Sequence, residues 1–378
     1  MDFYIVNGQV YHDHAFHTCT IHVADGKLYL CDQVPAGAET VDAAGKKVVP
    51  GFIDIHTHGA VGVDVNGATA EDLRKIGRFF AGNGTTAWLG SVLTDTVEQT
   101  DWCISQFKDY DGAQDAAELL GVHLEGPFLA SQYKGAMPEH LLRQGDSQLL
   151  HRYQQLAEGR VKYITVSPEV PGVAEMIPEA KKLGITVGIG HSGATYSEAM
   201  EAIDQGADLC THCFNAMRLF HQHEPAIMGA VLESDVYCEM ICDGLHLVPG
   251  TVRMLTKLKG FEKCVAITDS IMAAGLPDGN YHLGVNEVVV VDGDAKLADT
   301  GVRAGSTLTQ NRALKNLLKF TGKPLEQILP TLTENPAKVL KLDHRIGYIA
   351  DGMDADLVFL DENNDVASVF VKGNRVRG

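Results

Sequence analysis

Eight short apolar runs, separated by longer amphipathic stretches, restrict the fold of this 378-residue chain more than any other feature. The runs are rich in Val, Ile and Leu, and the stretches between them have the apolar spacing of helices. Eight alternating strands and helices over about 250 residues are the size of a (β/α)8 barrel. The sequence therefore predicts an α/β, TIM-like barrel. The runs are 48–58, 85–93, 119–128, 162–169, 185–192, 208–217, 236–246 and 264–270.

The two ends of the chain have a different pattern. Both contain short β-like runs joined by tight turns such as Asn-Gly and Asp-Gly, which are typical of antiparallel hairpins. We expect the two ends to pair in one small β-sandwich beside the barrel. The predicted domains are a β-sandwich of 1–49 plus 343–378 and a catalytic barrel of 50–342.

Charge and composition exclude several partners. The chain has 31 Lys and Arg against 49 Asp and Glu, a net charge of −18 that repels nucleic acids and anionic lipid surfaces. It has no signal-like start and no apolar segment long enough to span a membrane. We expect a cytoplasmic protein that binds neither nucleic acid nor membrane. The Cys210-x-x-Cys213 pair lies among apolar residues, which favours buried thiols over a metal or redox site.

Polar side chains close several of the apolar runs. His56 and His58 end the first run and, as residues i and i+2 of a strand, point to the same side. The strand ends of a barrel meet at one mouth, so further polar residues at other strand ends should converge there. We predict six metal ligands, which are His56, His58, Glu125, His191, His212 and Asp269.

Imidazoles and carboxylates suit transition metals better than Mg²⁺ or Ca²⁺, so we predict a divalent ion of Zn, Fe, Mn or Co. Six ligands exceed what one tetrahedral ion uses. Two ions could share them, one held by His56, His58 and Asp269, the other by His191 and His212, with Glu125 bridging. Such a site lowers the pKa of bound water from about 16 to about 7, which indicates a hydrolase. Asp269 is then the candidate proton acceptor and donor, and His246 a candidate hydrogen-bond donor to the substrate.

The motifs in the runs carry a family resemblance. PGFIDIHTHG (50–59) resembles the amidohydrolase superfamily, and HLEGPFLASQYKGA (123–136), GHSGAT (190–195), THCFNAM (211–217) and CDGLHL (242–247) resemble its N-acetylglucosamine-6-phosphate deacetylases. The resemblance implies a distorted barrel with a β-sandwich from both termini. It also implies hydrolysis of the N-acetyl group of N-acetylglucosamine 6-phosphate to the free amine and acetate. Deacetylases of N-acetylgalactosamine 6-phosphate share these motifs, so the galacto substrate stays open.

The resemblance also implies residue roles. Glu125, His191 and His212 match metal ligands, Asp269 matches the catalytic acid and base, and His246 matches a residue that contacts the sugar or carbonyl. The retained His56 and His58 favour two ions rather than one. The implied substrate contacts are Ala136, Asn215, Ala216, His223, His246, Ala304, Gly305 and Ser306.

The chain departs from the family pattern at two positions. His223 stands where the family commonly has an arginine that reaches across a homodimer to the substrate phosphate, and Met137 stands where it commonly has a histidine. A histidine is only fractionally charged at neutral pH, whereas an arginine is always charged. An amidohydrolase that acts on an unphosphorylated N-acyl compound therefore stays open, and the homodimer is a further expectation. A metal-free scaffold is disfavoured because all six predicted ligands are present.

Overall fold

The computed structural model describes residues 1–110 and 114–378. In chain order its strands are β1 Asp2–His12, β2 Ala15–Ala24, β3 Lys27–Cys31, β4 Thr40–Asp42, β5 Lys47–Pro50, β6 Phe52–Asp54, β7 Gly59–Ala60, β8 Val63–Asp64, β9 Thr85–Leu93, β10 Glu118–Glu125, β11 Val161–Val166, β12 Thr186–Ile189, β13 Leu209–Cys210, β14 Tyr237–Ile241, β15 Cys264–Ile267, β16 Gly279–Leu283, β17 Asn286–Val291, β18 Asp294–Leu297, β19 Leu357–Leu360, β20 Val366–Val371 and β21 Asn374–Arg377. Its α-helices are α1 Ala70–Gly82, α2 Val97–Lys108, α3 Ser147–Leu156, α4 Val173–Lys182, α5 Tyr196–Asp204, α6 Ala226–Glu233, α7 Pro249–Lys259, α8 Gln310–Thr321, α9 Leu325–Ile328 and α10 Glu334–Val339.

Eight parallel strands form the central sheet in the order β6-β9-β10-β11-β12-β13-β14-β15. Each of the eight predicted apolar runs overlaps one of these strands, although β10 and β11 begin one residue before their runs. Every residue of β9 is buried, as expected of a parallel strand that is covered on both faces. The predicted α/β barrel is confirmed. Cys210 and Cys213 are both buried in its hydrophobic core.

The barrel closes just beyond the ends of its two terminal strands. The segment after β6 pairs with the segment after β15 through a bridge between Thr57 and Ser270. Asp269 donates its N–H to the His56 carbonyl at 2.9 Å, and His58 donates to the Ser270 carbonyl at 2.7 Å. At the ends of the two strands themselves, the Thr268 hydroxyl donates to the buried Asp54 carboxylate at 2.6 Å. We call these contacts the seam; they close the barrel at its mouth.

The helices that flank the barrel begin at side-chain caps. Thr69 and Asp72 form a reciprocal capping box before α1, whose buried residues include Leu73, Ile76 and Phe80. Thr195 forms the same box with Glu198 and starts α5 soon after β12 ends. These caps fix where each connection leaves the barrel mouth and turns into a helix.

The two chain ends build a second sheet. β1 pairs with β2 along most of its length and, on its other edge, with β4 and β5. β5 pairs with β19, so strands from both termini share this sheet. Its apolar side packs residues such as Ile5, Val48 and Phe359 into a core of their own. The domain boundaries at residues 49 and 343 stay a prediction.

Some elements were not predicted from the sequence. β16–β18 form a three-stranded antiparallel sheet between β15 and α8. β17 alternates exposed and buried residues, which distinguishes it from the buried barrel strands. We call β16–β18 the insert. None of the helices in residues 1–110 and 114–378 is long and apolar enough to cross a membrane.

Thr268→Val should destabilise the protein, because it removes the hydroxyl that donates to the buried Asp54 carboxylate. Leaving a buried acceptor without its donor costs about 1–3 kcal/mol. We expect a loss of that size in the free energy of unfolding, measured by urea denaturation. Thr268→Ser keeps the hydroxyl and should stay close to the wild type. Equal stability of both variants and the wild type would contradict a stabilising seam.

Candidate active site

The six predicted ligands lie together at the barrel mouth. His56 and His58 follow β6, Glu125 ends β10, and the other three follow β12, β13 and β15. None is more than 8% exposed. The structure thus brings together side chains that are more than 200 residues apart in the chain, in a site largely shielded from solvent.

Glu125 lies between two pairs of histidines. Its Oε2 is 3.0 Å from His58 Nε2, and its Oε1 is 3.4 Å from His56 Nε2. The same Oε1 is 3.1 Å from His191 Nε2 and 3.2 Å from His212 Nε2. Asp269 Oδ1 lies 3.3 Å from His58 Nε2. Two clusters of possible metal ligands therefore share one carboxylate, the first with His56 and His58, the second with His191 and His212.

Hydrogen bonds to the outer ring nitrogens orient these imidazoles. His58 Nδ1 is 3.1 Å from the Ser91 carbonyl, and His191 Nδ1 is 2.8 Å from the Tyr133 carbonyl. A carbonyl only accepts, so in both rings Nδ1 carries the proton and donates, and a neutral ring then has a free lone pair on Nε2. Each Nε2 that faces the shared carboxylate is thus prepared to bind a cation.

The nitrogen–nitrogen contacts support a bound cation. His56 Nε2 lies 3.3 Å from His58 Nε2, and His191 Nε2 lies 3.1 Å from His212 Nε2. Two facing lone pairs repel each other unless a proton or a metal ion lies between them. Ligands at about 2.0–2.1 Å from one tetrahedral ion are about 3.3 Å apart, which matches these contacts. The donor set therefore fits a divalent metal.

The electrostatic field of the site also favours positive charge. Burial opposes a charged His58 ring, yet the Glu125 and Asp269 carboxylates raise the pKa of His58 to about 9. His123, which lies deeper, is different: burial lowers its pKa well below the usual value, so the ring is neutral. His123 bonds to Ser91 and Thr165 and belongs to the barrel interior. The environment that favours positive charge is thus that of the ligand clusters, and His123 does not share it.

Three ligands have an unusual backbone. The backbone φ values are 48° at His191, 26° at His212 and 49° at Asp269. They lie in the left-handed region, which residues other than glycine rarely adopt. Each such residue costs of order 1–3 kcal/mol and persists only where the surroundings enforce it. The Glu169 carboxylate holds the two residues after His191 in place, because it accepts from the Ser192 hydroxyl at 2.8 Å and from the Gly193 N–H. The strand ends are therefore bent to aim these ligands inward.

A cavity of about 560 Å³ opens above the ligands. Six of the eight predicted substrate contacts line it directly: Ala136, Asn215, Ala216, His246, Ala304 and Gly305. Ser306 lies behind the wall, where its hydroxyl donates to the Thr268 carbonyl at 2.5 Å. His223 is exposed on a loop outside this cavity, so one chain alone does not bring it to the site.

The insert supplies one wall of the cavity through Leu283, Asn286 and Leu297. Asn286 donates to the Ala136 carbonyl at 2.8 Å, and the Gly284 N–H donates to Asp64 at 2.8 Å. These two contacts attach the insert to the mouth of the barrel. Met137, at the second departure from the family pattern, is buried in this wall.

His246 is held by a neighbouring carboxylate. Its Nδ1 lies 2.6 Å from Asp243 Oδ2, and Asp243 Oδ1 accepts the N–H of His246 at 2.7 Å. Burial works against the Asp243 charge, but the adjacent His246 holds the pKa of Asp243 below its usual value. His246 therefore presents its remaining nitrogen, Nε2, for contact with a ligand.

Sequence reasoning did not assign several residues that build the site. Asp243 and Glu169 each follow a strand, a position that points to the barrel mouth. The sequence does not show which residues they would contact by hydrogen bonds. Glu239 gave a weaker signal, a single carboxylate within a buried apolar run. In the structure Glu239 contacts both His56 and the backbone of His212.

Comparisons with known proteins agree with this geometry. The sequence profile of the Amidohydrolase family matches residues 47–376. The N-acetylglucosamine-6-phosphate deacetylase of Lysinibacillus sphaericus is 35% identical, over 94% of this chain and 92% of that protein. The N-acetylgalactosamine-6-phosphate deacetylase of Escherichia coli O157:H7 is 32% identical, over 93% of each. The crystal structure of N-acetylglucosamine-6-phosphate deacetylase from Pasteurella multocida superposes with a TM-score of 0.95 at 29% identity, over the whole of both chains.

Removal of divalent metal should lower the melting temperature, because an ion held by Glu125 and its histidines binds the folded chain and stabilises it relative to the unfolded chain. A ligand at 100 times its Kd stabilises the folded state by about 2.7 kcal/mol. We expect Zn²⁺ or Co²⁺ to restore the melting temperature of chelator-treated protein, measured by thermal unfolding. Glu125→Ala, which removes the shared ligand, should not respond. Identical melting curves with and without metal would contradict the site.

Proposed function

Because the chain belongs to the amidohydrolase family, we propose that it hydrolyses the N-acetyl group of N-acetylglucosamine 6-phosphate to give glucosamine 6-phosphate and acetate. The observation that carries the proposal is the gathering of all six predicted ligands beneath a cavity of about 560 Å³. Relatives with this activity match the chain over nearly its whole length at 31–35% identity. The N-acetylgalactosamine 6-phosphate substrate is the second candidate, supported by the relative from Escherichia coli O157:H7.

Two ligand clusters that share Glu125 support two metal ions in each chain. His56, His58 and Asp269 would hold one ion, and His191 and His212 the other. Zn, Fe, Mn and Co all suit this donor set. When bound, such an ion supplies Lewis acidity, which lowers the pKa of a water molecule to about 7 and polarises a carbonyl group.

Asp269 is the proposed proton carrier. Burial works against its charge, but the His56 and His58 rings keep the pKa of Asp269 below its usual value, so the carboxylate is ionised. An ionised carboxylate accepts the proton of the attacking water. It then delivers that proton to the sugar nitrogen as the carbon–nitrogen bond breaks, so that acetate and a free amine leave.

His246 is the proposed contact to the sugar or to the acetyl carbonyl. The bond from Nδ1 to Asp243 fixes the plane of the ring, so substrate binding need not order it. Asn215, Ala216, Ala304 and Gly305 surround the same space and would enclose the sugar.

Lys134 is the proposed partner of the substrate phosphate. Among the described residues, one lysine and one arginine line the cavity, Lys134 and Arg303. Arg303 is already paired with Asp294 through two hydrogen bonds, at 2.7 and 2.9 Å. Lys134 donates to the Met137 carbonyl at 3.2 Å and has no carboxylate within 4.0 Å in the part of the chain that the structure describes. Its charge is therefore available to a phosphate.

We also propose a homodimer in which His223 reaches the phosphate site of the partner subunit. His223 lies on an exposed loop with Leu219 and Phe220, whose side chains are 84% and 57% exposed. Exposed apolar residues next to a site are typical of an interface.

The cysteines support a cytoplasmic location, which we also propose. All eight are free thiols, as expected of a protein in a reducing compartment.

Steady-state kinetics on three substrates test the proposed function. Acetate release from N-acetylglucosamine 6-phosphate should exceed that from unphosphorylated N-acetylglucosamine, because only the phosphorylated sugar can pair with Lys134. The first candidate also predicts that it exceeds release from N-acetylgalactosamine 6-phosphate. Preference for the galacto compound would select the second candidate. Preference for the unphosphorylated sugar would contradict the role of Lys134, and no turnover of any of the three by metal-loaded protein would contradict the proposed function.

Asp269→Asn should lower kcat by about 10²–10⁴-fold, because an amide cannot accept the water proton. The measurement is acetate release at saturating substrate, with metal content determined on the same sample. Glu362→Gln, which changes an exposed carboxylate of the second sheet, is the matched control and should keep full activity. Wild-type kcat in an Asp269→Asn enzyme with full metal content would exclude Asp269 as the proton carrier.

A further inference from the structure

Glu239 is a carboxylate in the interior of the barrel. It lies in the middle of β14 between Cys238 and Met240, and all three residues are 0% exposed. A buried carboxylate is costly unless hydrogen bonds and positive charge compensate it. The position of Glu239 in an apolar strand therefore requires an explanation beyond packing.

Its contacts reach both ligand clusters. Glu239 Oε2 is 3.1 Å from His56 Nδ1, which belongs to the first cluster. The same oxygen accepts the backbone N–H of His212, from the second cluster, at 2.9 Å. The other oxygen, Oε1, is buried without a hydrogen-bond partner. One carboxylate thus contacts the two halves of the site from below, on the side opposite to Glu125.

The Glu239 carboxylate has few polar partners in the protein. Among the described residues, His56 is the one basic side chain within 4.0 Å of its oxygens. The Tyr163 phenol lies nearby and stays neutral, because burial and then the charge of Glu239 raise its pKa well above the usual value. His56 therefore connects Glu239 to the place where the ion of the first cluster would lie.

Charge balance favours the same conclusion. Two divalent ions bring four positive charges, against which the ligands Glu125 and Asp269 place two negative charges. Glu239 adds a third negative charge to the buried site. In a water-poor environment this difference is large enough to influence whether the ion of the first cluster stays bound.

We propose that Glu239 is the positioning residue that retains the ion of the first cluster, the one held by His56 and His58. It keeps the proton of His56 on Nδ1, so that Nε2 faces the metal, as partners of metal-binding histidines commonly do. It also holds the His212 backbone at its φ of 26°. The inference rests on the proposed metal-dependent function only for the presence of ions and does not depend on the substrate.

Glu239→Gln separates charge from orientation, because the amide keeps the size of the side chain and its oxygen still accepts from His56 and His212. We expect this variant to bind the ion of the first cluster about 10–100-fold more weakly than the wild type. The second cluster should keep its ion. Chelator-treated protein is titrated with Co²⁺, and the visible absorption and metal content per chain are recorded.

Two further variants make the result specific. His58→Asn removes a ligand of the first cluster, so its Co²⁺ spectrum should match that of Glu239→Gln. Glu334→Gln is the matched control, since Glu334 is also a buried carboxylate but pairs with His14 and Lys338 away from the site. The control should bind both ions as the wild type does.

The proposal is overturned if Glu239→Gln binds both ions with wild-type affinity, or if it loses both ions together. It is also overturned if the wild type binds a single ion.

Glu239→Asp is the alternative variant if Glu239→Gln does not fold. It keeps the carboxylate but shortens the side chain, and it should bind the ion of the first cluster about 10-fold more weakly than the wild type. Unchanged affinity in that variant would overturn the proposal. A wild type that binds two ions without releasing acetate would sink only the proposed function.

Discussion

The hydrogen bonds of the seam are the constraint on which the rest of the structure depends. They join residues 56–58 to residues 268–270, and the same two segments carry three of the six ligands. The first ligand cluster exists only when the first and eighth strands meet. Barrel closure and assembly of the site are therefore one event, and a chain with an open barrel has at most the second cluster intact.

Much of this architecture could be predicted because parallel barrel strands are buried on both faces and read as continuous apolar runs. A polar residue at the end of such a run is conspicuous, which is why His56, His58, Glu125, His191, His212 and Asp269 were identified. The insert was not predicted. β17 alternates buried and exposed residues over a short length, and alternation in a short segment does not say which larger element it packs against.

The remaining features depend on distances across strands, which the order of residues does not contain. Glu239 is conspicuous as a carboxylate in an apolar run, but only the structure shows that it reaches His56 from β14. The same limit applies to Ser306 and His223. The family resemblance implies that both contact the substrate. In a single chain, however, the Ser306 side chain lies behind the cavity wall and the His223 side chain lies outside the cavity. The left-handed φ values of three ligands are likewise a product of the fold.

The three strands of the insert pair with one another, and the insert contacts the barrel mouth through hydrogen bonds such as those from Asn286 and Gly284. It carries none of the six ligands, yet it shapes the space in which a substrate lies. Part of the cavity wall thus lies on a segment of the chain that is separate from the six ligands. Evolution or protein engineering could change the sequence of the insert to accept a different sugar or acyl group while the six ligands stay unchanged.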